Sequence, residues 1–96
     1  MLEIKVSDKA KSKLISLLAN ETSKYARLVF QGVGWKGSKL ELTLDELNEN
    51  DGKVNVDGID IIFNKKDKLY IHKSAVDYND SNPGNGFAVK AWFQGF

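Results

Sequence analysis

Tyr25-Ala26-Arg27-Leu28-Val29-Phe30-Gln31-Gly32-Val33-Gly34-Trp35-Lys36-Gly37-Ser38-Lys39-Leu40-Glu41-Leu42-Thr43-Leu44 is the stretch on which the reading of the fold turns. Residues 32–37 match G-x-G-x-x-G, a pattern that in dinucleotide-binding folds leaves a strand and opens a helix whose N-terminus receives phosphate. Here the residues after the pattern alternate instead. Leu40, Leu42 and Leu44 share one face while Glu41 and Thr43 point away, which is the period of a strand. A strand, a glycine-rich turn and a second strand make a sheet element, not a phosphate cradle. Three glycines in six residues call for a backbone that turns sharply or is closely approached.

Upstream, Leu2, Ile4 and Val6 alternate with Glu3 and Lys5 as a half-buried strand. Ser7 is suited to cap a helix, and Asp8 follows in the first turn, where the helix dipole favours a negative charge. Ala10, Leu14, Leu17 and Leu18 form its apolar face, and Asn20 to Ser23 end it. Downstream, Lys53 to Val56, then Asp57-Gly58, then Ile59 to Phe63 spell a β-hairpin. Asn64 to Lys73 reads as a short lysine-rich connector, Ser74 to Tyr78 as a strand, and Gly86 to Phe93 as a last strand. On that last strand Phe87, Val89, Ala91 and Phe93 share a face, with Lys90 and Trp92 opposite. One helix beside six or seven short strands predicts a single α+β domain over residues 1–96, with mostly antiparallel pairing.

Composition narrows the function. Ninety-six residues provide for one modest core, with roughly 60–70% of the unfolded surface buried on folding. Fourteen basic against thirteen acidic residues argue against strong nonspecific attraction to nucleic acid or membrane. The longest apolar cluster, Ile15 to Ala19, is too short to span a bilayer, and the N-terminus shows no hydrophobic signal segment. A cytoplasmic protein without membrane or nucleic-acid partners is the expectation. The absence of cysteine removes disulfides, thiolate clusters and cysteine nucleophiles. Asn20-Glu21-Thr22 and Asn79-Asp80-Ser81 match the glycosylation triplet by chance in a chain expected to stay inside the cell.

Four further motifs are weighed and set aside. Residues 45–51 are acidic, but placing Gly52 at the glycine of a calcium loop puts Leu47 where the first carboxylate belongs. A solvated acidic loop is the better reading. His72 is the only histidine, so no multi-imidazole metal site exists within one chain, and no nucleophile–base pair is suggested. Lys65, Lys66, Lys68 and Lys73 with Tyr70 form the densest basic cluster, read as a charged loop that keeps a sheet edge soluble. Gly86-Phe87-Ala88-Val89 faintly resembles an RNA-recognition signature, but no helix pattern follows it.

The order of these elements resembles the A-type iron–sulfur carrier family (HesB/IscA-like). In that family a strand, a helix and a strand lead to a Gly-Cys-Ser-Gly loop, then an alternating strand and an acidic segment. Here Gly34-Trp35-Lys36-Gly37, Leu40-Glu41-Leu42 and residues 45–51 follow that order. Val56-Asp57-Gly58-Ile59, Asp77-Tyr78 and Gly86-Phe87 are similar to its later hairpin, aspartate–aromatic pair and Gly-Phe strand. The resemblance implies a compact, mostly antiparallel β domain with one N-terminal helix and a link to cluster biogenesis. It also exposes a departure: Trp35 stands where the family carries its loop cysteine, and the Cys-Gly-Cys tail has no counterpart in the 96 residues. An indole N–H is a donor only and cannot ligate iron.

The resemblance therefore implies a non-enzymatic relative with no cofactor and no metal of its own. Such a chain acts by protein contacts, through self-association or with iron–sulfur assembly proteins. Gly34, Trp35, Lys36 and Gly37 are the candidate interaction loop, and Lys90 with Trp92 a second candidate surface. Three roles stand open for Trp35: a lid over its own sheet, an interface anchor, or a ligand contact. The alternative function is a small-molecule or phosphate-binding module using the 32–37 loop and the nearby lysines.

Overall fold

A computed structural model describes residues 2–35 and 37–91, with backbone only at Gly37 and Ser38. The N-terminal alternation becomes β1 (Glu3–Val6), with Ile4 and Val6 buried and Glu3 and Lys5 exposed. Ser7 stops the strand in extended backbone and accepts a hydrogen bond from Ala10 N–H at 3.2 Å, capping α1 (Asp8–Leu18). One orphan donor of the first turn is thereby satisfied, and Asp8 lies where the dipole favours it. Ala10 and Leu14 are fully buried on the inner face of α1, while Ile15 is turned to solvent.

β2 (Lys24–Gly34) and β3 (Gly37–Glu46) pair antiparallel along their whole length. β4 (Asp51–Val56) and β5 (Ile59–Asn64) form the second hairpin. Its two turn residues, Asp57 and Gly58, both have positive φ (52° and 91°), the conformation that matches the twist of two joined strands. The lysine-rich connector then folds as a 3-10 turn (Lys65–Asp67) capped by Asn64, followed by a one-turn α2 (Lys68–Ile71). β6 (Lys73–Tyr78) and β7 (Phe87–Ala91) complete the described chain. Trp92 and Phe93, the end of the expected last strand, lie outside the described residues.

The seven strands form one sheet in the order β1-β6-β7-β3-β2-β5-β4. Four pairings are antiparallel; β1–β6 and β2–β5 are parallel. The two edge strands, β1 and β4, approach each other, so the sheet curls around its core. The inner face carries Leu28, Leu40, Leu42, Ile61, Phe63 and Val76, closed by Ala10 and Leu14 of α1. Gly52 sits against this core with no room to spare: a Cβ there would lie 2.5 Å from the Phe63 ring. This is the α+β, mostly antiparallel domain that the alternation predicts.

The glycine-rich turn is tight, because the strands on either side run on to Gly34 and from Gly37. One local expectation changes: the acidic stretch is not fully solvated. Asp45 and Glu46 end β3, Asp51 opens β4, and the Asp51 side chain is completely buried. Its burial is possible because Arg27 on β2 meets it.

Candidate functional site at the tip of the β2–β3 hairpin

Gly34 pairs with Gly37, and Trp35 lies in the turn that follows Gly34. Three residues earlier the ladder slips: Phe30 faces Leu40, but Gly32 faces Lys39, so Gln31 is an extra residue in β2. Such a bulge bends its strand and increases the twist. Gly32 takes φ +123° there, a conformation that a side chain would strain. β5 has already parted from β2, the last matched pair being Leu28 and Phe63. Phe30 is still anchored, its ring stacked on Tyr70 of α2 with centroids 4.0 Å apart. Beyond Phe30, β2 continues past its support by β5 and α2, while β3 stays paired to β7 as far as Lys39.

The consequence is exposure. Val33 is 57% exposed and Trp35 fully so. A lid over the sheet would have buried the indole, so of the three roles open to Trp35 the structure removes that one. Lys36 lies outside the described residues, and for Gly37 only its place on β3 is described. The donor set at the tip does not fit an iron–sulfur cluster. It consists of glycine backbone and an indole, with no thiolate. Among the described residues, no three histidine, cysteine, aspartate or glutamate side chains gather as a metal site.

The opposite end of the same hairpin holds a feature that sequence reading missed. Arg27 Nη1 donates to Asp51 Oδ1 at 2.8 Å, and Nη2 donates to Asp51 Oδ2 at 2.5 Å and to the Glu46 carbonyl at 2.9 Å. Asp51 Oδ2 also accepts the Asn48 N–H at 2.8 Å. Arg27 Nε forms an ion pair with Asp45 Oδ2 at 2.8 Å. The Arg27 hydrogen bond holds the Asp51 carboxyl below the usual carboxylate range, with burial opposing it and the Asn48 N–H assisting. Asp51 in turn holds the guanidinium proton more tightly, against the desolvation of Arg27. An arginine on a strand facing an aspartate 24 residues away carries no local signature. Only the β3–β4 connection brings them together.

The remaining candidates are dispersed. Lys65 and Lys66 lie on the 3-10 turn, Lys68 on α2 and Lys73 on β6, so the basic cluster of the sequence occupies three elements. His72 ends α2 and contributes its carbonyl, which accepts the Glu3 N–H at 2.5 Å and ties β1 to the connector. Lys90 is exposed on β7, on the side of the sheet away from α1; its companion Trp92 lies outside the described residues.

Comparison with known proteins places this geometry. No protein-family model matches the chain. The iron–sulfur cluster insertion protein ErpA of Colwellia psychrerythraea is 31% identical over 91 residues, spanning 92% of this chain and 80% of the relative. ErpA of Hamiltonella defensa is 32% identical over 92 residues, spanning 93% and 81%. The chain belongs to the A-type iron–sulfur carrier family. Solved structures in this family share its fold at lower identity. Escherichia coli SufA, involved in biosynthesis of iron–sulfur clusters, superposes with a TM-score of 0.64 at 17% identity, over 92% of this chain and 84% of SufA. IscA with a [2Fe-2S] cluster gives 0.65 at 16% identity, over 93% and 85%. No helix among the described residues of this A-type carrier relative is long and apolar enough to cross a membrane.

Proposed function

We propose that this A-type family member serves iron–sulfur cluster biogenesis in the cytoplasm without ligating a cluster itself, as a non-enzymatic protein that works through protein contacts. The observation that carries the reading is the fully exposed Trp35 at a projecting hairpin tip, in a chain with no cysteine in its 96 residues. A solvent-exposed indole at a hairpin tip offers a large apolar area, which suits it to anchor an interface. The partner is an iron–sulfur assembly protein or a second copy of the chain. In the family pattern this position carries the ligand cysteine; here the glycine frame persists and the chemistry changes from coordination to contact.

Anaerobic reconstitution with iron and sulfide tests the first half. The purified protein stays colourless, and a stable stoichiometric cluster overturns the reading. Photo-crosslinking from position 35 tests the second half. An adduct with an iron–sulfur assembly protein or with itself is expected, and Trp35→Ser should abolish that association. Undiminished association of Trp35→Ser removes the tip from the interface.

A further inference from the structure

The face of the sheet turned away from α1 carries an unusual row. Lys5 on β1 is in register with Ala75 on β6, Ala75 with Lys90 on β7, and Lys90 with Lys39 on β3. Registered neighbours point to the same side, and the alternation along each strand agrees. Lys5, Lys90 and Lys39 are all exposed while Ile4, Val76, Ala91 and Leu40 beside them are buried on the inner side. With strands about 4.8 Å apart, the row measures about 14 Å from Lys5 to Lys39.

Directly opposed like charges destabilise a sheet, and Lys39 and Lys90 are such a pair. None of the three lysines forms an ion pair among the described residues. Two acids that border the row are already engaged. Asp77 Oδ1 accepts from Ser7 Oγ at 2.6 Å and from the Tyr78 N–H at 2.8 Å, and Glu41 accepts from the Gln31 amide. Protection of a sheet edge explains Lys5, since β1 is an edge strand, but β7 and β3 are interior. Between Lys5 and Lys90 the floor is Ala75, and a shallow cavity opens beside it, lined further by Asp77 and Ala88 with Asn79 and Asn82 at its end.

We infer that the Lys5–Lys90–Lys39 row is a docking surface for an extended acidic segment of a partner protein, lying across β1, β6, β7 and β3. Alternate side chains of an extended segment stand about 7 Å apart on one face, so carboxylates at every second position reach successive lysines along the row. The alanine floor leaves room for the backbone between them. The described residues of this face present no aromatic ring on which a nucleic-acid base could stack. This surface is distinct from the Trp35 tip and does not depend on it.

Fluorescence anisotropy with the full chain and three labelled probes tests the inference. The probes are a peptide of alternating glutamate and serine, its glutamine counterpart, and a short oligothymidylate. The glutamate peptide should bind, the glutamine peptide should not, and Lys39→Gln/Lys90→Gln should weaken binding about tenfold. Lys65→Gln/Lys66→Gln, which removes the same charge elsewhere, should leave the affinity unchanged, as should Trp35→Ser. Equal loss in both lysine pairs would reduce the effect to net charge and overturn the site. So would absence of glutamate-peptide binding, or tighter binding of the oligothymidylate. Loss on Trp35→Ser alone would assign the peptide to the tip instead.

Discussion

The two ends of the β2–β3 hairpin are built from the same pair of strands and behave oppositely. At the base, Arg27 ties β2, β3 and β4 together through charge-assisted hydrogen bonds to Asp51 and the Glu46 carbonyl and an ion pair with Asp45. At the tip, a bulge and glycines carry a fully exposed indole into solvent. The base interacts with itself, and the tip is available to something else. Among the described residues, ion pairs and tight packing appear at the base, where the sheet must be held in register, and not at the tip.

The largest expected effect breaks the base. Arg27→Met leaves the Asp51 carboxylate buried without its partner and should cost about 3 kcal/mol of stability in urea denaturation. A loss under about 1 kcal/mol would mean that the clasp is not an anchor. Acid weakens the same clasp in the wild type. The folded state holds the Asp51 proton more weakly than the unfolded chain does, so unfolding takes up a proton as the pH drops. The contribution of Asp51 is complete above about pH 4 and is lost as the pH falls through the carboxylate range. An Arg27→Met/Asp51→Asn variant should therefore lose less stability than wild type between about pH 6 and about pH 3.

Glycines sharpen the contrast next. Gly52→Ala, beside the clasp, drives a Cβ into the buried Phe63 ring and should cost about 2 kcal/mol through overpacking. Gly32→Ala at the bulge meets no atom within 4 Å, so its cost is conformational only, about 1 kcal/mol. Equal thermal shifts for the two would erase the distinction between a packed base and an open tip. The smallest effect belongs to Trp35→Ser, which should change stability by no more than about 0.5 kcal/mol. A larger loss would show that the indole contributes to the fold.

Much of the fold is legible in local patterns. The alternations of β1 and β3, the Ser7 cap, the Asp57-Gly58 turn and the apolar face of α1 each depend on residues within one or two turns of chain. The family resemblance extends from those same patterns. The Arg27–Asp51 clasp is not legible, since Asp51 sits in an acidic stretch whose composition suggests solvent. Nor is the lysine row, whose three members come from β1, β3 and β7 and are joined only by strand order.

For the candidate tip, the chain by itself determines which atoms are present: no cysteine, an indole between glycines, and hence no thiolate to offer iron. Those are covalent facts and need no folding. Whether that indole is buried or presented depends on where β5 and α2 stop supporting β2, a matter of sheet order and register. That depends on contacts between residues far apart in sequence, which only the packed structure decides.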